Sequence, residues 1–194
     1  MTDLPLDELA ALPKQIMPGT VVLELGNKKN STGLYRDWYL DQGLNYVCVD
    51  WNGLDGAWKF DMTQPDVWRY IIARNNTQTM NPFERFEVVT NFGFTEHVGE
   101  TYAEQLECWR NVHELVAVGG YLSMCMPLMP WWKGHGRWMP DAGWYDEFAK
   151  ENGYRIEVSK VWERVRKTYV CRFLKVLEKP FREPILMPIH RSDR

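Results

Sequence analysis

Cysteine is scarce and scattered in this chain. Cys48, Cys108, Cys125 and Cys171 are the only four in 194 residues. They sit among apolar neighbours, with no Cys-x-x-Cys pair and no histidine at metal-ligand spacing from them. That excludes a disulfide-stapled secreted scaffold and a sequence-evident zinc knuckle, and leaves buried small hydrophobes in a reducing, cytoplasmic compartment. A surplus of positive charge is also missing: 23 Lys+Arg face 26 Asp+Glu, a net charge of -3. This argues against a general polyanion binder. The N-terminus MTDLPLDELAALPKQ carries acids where a secretory signal has bases, and no apolar core follows it. One uncharged run of membrane-spanning length exists, the 18 residues Leu115–Trp132. Gly119-Gly120, Pro127 and Pro130 break it into a helix end, a turn, a strand and a loop. With no repeat and no linker either, the expectation is one domain over 1–194, with a helical segment at 1–19 and a surface tail at 180–194.

What is present in excess is aromatic: 10 Trp, 9 Tyr and 8 Phe. Rings in that number call for a large core or for a surface that receives flat or cationic ligands. A chain of this length buries roughly 70% of its unfolded surface, so it can supply the core. Charge is uneven. Residues 1–150 hold 12 basic and 20 acidic groups, while 151–194 hold 11 basic and 6 acidic. The solvated faces of a terminal hairpin account for the basic end.

The apolar runs at 20–25 (TVVLEL) and 44–50 (LNYVCVD) have the pattern of strands covered on both faces, and 32–42 between them reads as a crossover helix stopped by Gly43. The alternation continues through a short strand (57–61), a helix (64–75), a strand (86–91) and an amphipathic helix (100–118) ended by Gly119-Gly120. A strand (121–126), a helix (141–152) and two consecutive strands (154–162 and 167–177) complete it. The expected fold is α/β: a Rossmann-like, mostly parallel seven-stranded sheet with helices on both faces and a C-terminal antiparallel pair. Ligands of such sheets bind outside the carboxyl ends of the strands, which selects the loops after Leu25, Asp50, Asp61, Asn91 and Met126.

Gly26 ends the first strand and permits a tight turn toward a ligand. A dinucleotide site would need further glycines where Lys28 and Asn30 stand, which weakens a nicotinamide-dependent oxidoreductase. Asp50, two dozen residues on, is placed to accept from a ribose diol, with Trp51 beside it for a base. Asp61 can accept from an exocyclic amine or cap the helix that follows.

The motifs VVLELG (21–26), VCVDWNG (47–53), WKFD (58–61) and VVTNFGFTEHV (88–98), followed by Gly-Gly and a terminal antiparallel pair, resemble the class I S-adenosylmethionine-dependent methyltransferases, in their small-molecule (type 11-like) branch. The resemblance implies S-adenosylmethionine as cofactor. It implies that Glu24, Gly26, Asn27 and Lys28 shape the methionine end, that Asp50 holds the ribose, and that Trp51, Asp61 and Met62 frame the adenine, with Asn91 at the end of the fourth strand. This first loop departs from the family pattern in keeping a single glycine, which a cofactor without phosphate tolerates. Enzymes that methylate DNA exocyclic amines carry an Asn or Asp, two prolines and an aromatic after the fourth strand. Asn91-Phe92-Gly93-Phe94 differs, and a small-molecule or glycan-like acceptor is favoured over nucleic acid.

A general base is needed when the acceptor loses a proton. The candidates are His97, Glu96 and His135, with Glu96 and His135 also beside the acceptor; His113 falls inside a helix and reads as structural. His135 lies in MCMPLMPWWKGHGRWMP (124–140), where Trp131, Trp132 and Trp138 offer either a lid over the acceptor or a packed loop or homodimer interface. The alternative to an enzyme is a scaffold of the same fold that has lost catalysis.

Overall fold

The computed structural model describes residues 5–30, 33–78, 84–163, 167–185 and 189–191. Helix α1 (Leu6–Ala11) precedes β1 (Val21–Leu25), a two-residue hairpin of β2 (Lys29–Asn30) and β3 (Gly33–Leu34), α2 (Tyr35–Asp41), β4 (Asn45–Asp50) and β5 (Trp58–Lys59). Then come α3 (Val67–Gln78), β6 (Phe86–Asn91), α4 (Tyr102–Leu115), β7 (Val116–Pro127) and β8 (Trp138–Pro140). The chain closes with α5 (Ala142–Glu151), β9 (Tyr154–Glu163), β10 (Lys167–Lys175) and β11 (Ile189–Arg191).

Seven strands form one sheet in the order β5-β4-β1-β6-β7-β10-β9. The first five run parallel and β10 lies antiparallel to both its neighbours, as the sequence predicts. The order reverses at β1, which opens a crevice between the loops after β1 and β6. Every residue of β1 is buried, and its period of two separates two cores. Val21, Leu23 and Leu25 face the layer of α3, α4 and α5, whereas Val22 faces Tyr35 and Tyr39 of α2 and Ala11 of α1. Each such aliphatic side chain contributes about 1.5–3 kcal/mol on burial. Much of the aromatic excess lies on the first face. Trp109 packs 5.0 Å from Trp144 and 5.5 Å from Phe148, and Tyr145 stacks on Tyr169 at 4.9 Å.

Three segments depart from the sequence expectation. The helix predicted from residue 32 starts at Tyr35, because the β2–β3 hairpin occupies the positions before it; Thr32 itself lies outside the described residues. The helix predicted to reach Gly119 stops at Leu115. There the buried Lys175 donates to the carbonyls of His113 and Val116, satisfying the helix end from another strand. Gly119-Gly120 is then an irregularity inside β7 rather than a helix stop, with the β6–β7 register shifting alongside and Gly120 pressed against the Phe86 and Glu87 carbonyls. Finally, the 180–194 segment is more than a surface tail: β11 pairs with β8, and Ile189 enters the core. Its residues 186–188 and 192–194 lie outside the described residues.

Candidate active site

At the carboxyl end of the parallel strands lies a cavity of about 810 Å³, within the range of small-molecule sites. Its wall combines Gly26, Asn27 and Lys28 after β1, Asp50 and Trp51 after β4, and Phe60, Asp61, Met62 and Thr63 after β5. Phe94, His97 and Val98 after β6 close the other side, together with Arg137.

Gly26 turns the chain at a φ of 75°. A Cβ at this position would lie 2.6 Å from the Phe94 ring, so the glycine serves both the left-handed backbone and the approach of the β6 loop. Asp50 is fixed from both sides. Its Oδ2 accepts from the Asn27 amide at 3.1 Å and its Oδ1 from the Asn52 amide at 3.2 Å. Each oxygen retains a lone pair for a further donor. Asp61 accepts from the Thr63 amide and hydroxyl at 2.9 and 2.8 Å, and from Gln64. Burial opposes its ionisation, but these hydrogen bonds outweigh it and hold the carboxyl below the usual range. Met62 is buried in the wall, whereas Trp51 stands 71% exposed on the rim.

The Lys28 ammonium is engaged by Glu8 of α1 at 2.8 Å and by the Phe92 carbonyl. Burial works against its charge, but the neighbouring Glu8 carboxylate reverses the effect and raises its pKa. Lys28 therefore presents a fixed cation at the cavity.

The β6 loop supplies the second half of the site. Glu96 is only 1% exposed, and neither of its carboxylate oxygens has a hydrogen bond from another described residue. Burial drives its pKa up to about 7, offset in part by its own backbone amide and then by the Lys28 charge. Two imidazoles point at it: His97 Nε2 is 3.5 Å and His135 Nε2 3.9 Å from the same Oε1. The rings meet edge to face at 5.0 Å. Burial, then the charges of His135, Arg137 and Lys28, lower the His97 pKa and favour the neutral imidazole. The Arg137 amide donates to the Glu96 carbonyl at 2.7 Å, and a Cβ on Gly136 would lie 2.7 Å from Glu96 Cγ. Gly136 is thus the point at which the β7–β8 loop docks on the β6 loop, which brings His135 to Glu96 across 39 positions of sequence.

Other expected residues are placed differently. Glu24 points away from the cavity, on the α2 face, where Tyr46 donates to it. Burial, only partly offset by Tyr46 and Lys28, raises its pKa to about 8. It supports the first loop from beneath. Asn91 is also committed locally. Its Oδ1 accepts from the Phe94 and Thr95 amides at 3.2 Å, and its Nδ2 donates to the Thr95 hydroxyl at 2.8 Å, so it builds the turn that aims Phe94 and Glu96. Trp131, Trp132 and Trp138 stand outside the cavity wall. Trp138 is buried, donating to the Gly99 carbonyl, and Trp132 donates to the Lys167 carbonyl. Trp131 is exposed beneath the Lys167 ammonium. The tryptophans therefore fasten the loop; of its residues Arg137 lines the cavity, while His135 and the buried Glu96 lie behind His97, outside the wall. His113, bonded to the Tyr154 hydroxyl at 3.1 Å and the Lys179 carbonyl at 2.8 Å, is structural.

Sequence reasoning missed Arg137, Phe94 and Gly136. Arg137 had a signal, as the cation next to Gly-His-Gly. The other two depend on contacts between loops that no local pattern announces.

At the level of sequence, no family model and no curated protein matches the chain. Solved structures do. The chain is similar to a TehB-like SAM-dependent methyltransferase from Corynebacterium glutamicum, at 14% identity over 87% of each chain with a TM-score of 0.54. It is similar to the Burkholderia thailandensis 1,6-didemethyltoxoflavin-N1-methyltransferase, solved with 1,6-didemethyltoxoflavin and S-adenosylhomocysteine bound (14% identity, 81% of this chain and 71% of that one, TM-score 0.51). A SAM-dependent methyltransferase from Archaeoglobus fulgidus gives 11% identity, 80% and 86% coverage and a TM-score of 0.56. The fold of this chain is that of the class I SAM-dependent methyltransferases.

Proposed function

We propose that the protein transfers the methyl group of S-adenosylmethionine to a small-molecule or glycan-like acceptor. The observation that carries the reading is the cavity on this fold, with Gly26, the doubly anchored Asp50 and Asp61 converging on it from three consecutive strand ends. The wall fits that cofactor: the Gly26 turn lets Phe94 close on the first loop, Asp50 keeps a lone pair on each oxygen for a ribose diol, and Lys28 holds a cation where a carboxylate can meet it. Met62 and the rim residue Trp51 supply apolar faces for a flat base. When bound, the cofactor supplies an electrophilic methyl on a sulfonium.

The chain's own task is then to align the acceptor and exclude water. Phe94, Val98 and Met62 give the cavity its apolar side. His97, which lines the cavity, forms the acceptor end with His135 and Glu96 behind it, and the two imidazoles are the general-base candidates where the acceptor is a hydroxyl that must lose its proton. Among the described residues no helix is long and apolar enough to cross a membrane, and the basic C-terminal region takes no part in the cavity wall.

Isothermal titration calorimetry with S-adenosylmethionine tests the reading. One equivalent is expected to bind the unaltered protein, with affinity falling at least tenfold in Asp50→Ala, the order of 1.4 kcal/mol. No saturable heat with the unaltered protein would reject it.

A further inference from the structure

Glu96, His97 and His135 have a property that acid–base chemistry does not require. Their ligand atoms lie within 4.8 Å of one another, and both imidazole Nε2 atoms face a single carboxylate oxygen. Three donors bound to one small divalent ion at 2.0–2.2 Å stand about 3.4 Å apart at a tetrahedral angle. Glu96–His97 at 3.5 Å and Glu96–His135 at 3.9 Å stand within about half an ångström of that spacing, and the third pair lies within 4.8 Å. Two imidazoles and a carboxylate are also a donor set suited to zinc or ferrous iron rather than to magnesium or calcium.

The second observation is independent of that spacing. A carboxylate buried to 1% exposure, with neither oxygen hydrogen-bonded to another described residue, costs several kcal/mol unless something compensates it. Lys28, whose charge acts on Glu96, is itself held by Glu8 and the Phe92 carbonyl. The loops are built to keep Glu96 there all the same. Gly93 leaves room at its Oε1, Gly136 leaves room at its Cγ, and the Arg137 amide fixes its carbonyl.

We propose that Glu96, His97 and His135 form a binding site for a divalent transition-metal ion of the zinc or ferrous class. Of the three, His97 lines the cavity wall, so an ion held here would border the cavity at that ligand, and its open positions suit an oxygen donor of a small molecule. That the molecule is the methyl acceptor rests on the methyl-transfer reading; binding of the ion does not. The sequence conceals the site, because two of its ligands are adjacent and the third arrives only through the docking at Gly136.

The test is calorimetry of Zn²⁺ alone into chelator-stripped full-length protein, repeated with Glu96→Gln and His135→Gln, with circular dichroism to establish that each variant is folded. One equivalent is expected in the unaltered protein, with affinity at least tenfold weaker in each variant and no response to Mg²⁺. Co²⁺ is expected to give visible absorption bands that both variants lose. The absence of one-equivalent Zn²⁺ binding, or equal binding by the unaltered protein and both variants, overturns the proposal. S-adenosylmethionine titrated into the same samples separates the two readings. Zn²⁺ binding without cofactor binding upholds the metal site and removes the methyl-transfer reading, and cofactor binding without Zn²⁺ binding does the reverse.

Discussion

Gly26 carries two constraints on one atom that is absent. Its backbone lies at a φ of 75°, where an L-residue costs roughly 1–2 kcal/mol. The Phe94 ring fills the space of the missing Cβ, so any side chain also displaces the aromatic that bounds the cavity. Gly26→Ala is therefore expected to bind S-adenosylmethionine at least tenfold more weakly than the unaltered protein and to melt several degrees lower, read by calorimetry and by a thermal melt. Unchanged affinity would mean that Phe94 yields freely and that this approach does not shape the site. Asp50 contrasts with Gly26: its backbone is ordinary, and its importance lies in two oxygens already oriented by the Asn27 and Asn52 amides.

Among the elements, the loop joining β7 to β8 decides how the Glu96–His97–His135 cluster is assembled. Glycines on both sides of His135 suggest a hinge, yet Gly136 is a contact point, pressed on the Glu96 side chain and carbonyl. Gly136→Ala is expected to push the loop off Glu96 and to abolish one-equivalent Zn²⁺ binding while leaving S-adenosylmethionine affinity within about threefold. Paired titrations check this, and retained Zn²⁺ binding would show that His135 reaches Glu96 without the docking. This loop also marks where the sequence stops being legible. β1 is buried along its whole length and β4 and β6 over their carboxyl-terminal halves, and the acids and glycine at their ends can be read directly because a parallel sheet presents strand ends to its ligand. The end of α4 cannot be read that way, since Lys175 from β10 terminates it. Trp138 likewise looked like a ligand-facing ring and is instead a buried strand residue bonded to Gly99. Local pattern identifies which residues end strands; it does not reveal which loops meet, and the Glu96–His97–His135 cluster is made where loops meet.

Across the whole molecule, two buried titratable groups on opposite faces of the sheet give stability a pH dependence with opposite signs. Glu24, facing Tyr46, Lys28 and Glu8 on the α2 side, has its pKa raised by burial from 4.5 to about 8. The native state therefore holds a proton that the unfolded chain has released, and this group lowers stability as pH rises from about 4.5 to 8. His113, between Tyr154 and Lys179 on the α5 side, is pushed by burial and by the Lys175 charge down from 6.5 to about 4. Here the unfolded chain binds the extra proton, and the group lowers stability as pH falls from about 6.5 to 4. The two sites share no partner, so their effects add. Glu24→Gln, which keeps the shape and removes the titration, is expected to gain on the unaltered protein as pH rises from 4.5 to 8, by about 1.4 kcal/mol for each unit crossed. His113→Asn is expected to gain on it in the other direction, as pH falls from 6.5 to 4. Urea unfolding at a series of pH values measures both differences. A Glu24→Gln difference that stays flat with pH would mean that the carboxyl beneath the Gly26 loop is ionised in the folded protein, and the cavity would then rest on a buried negative charge in place of a neutral acid.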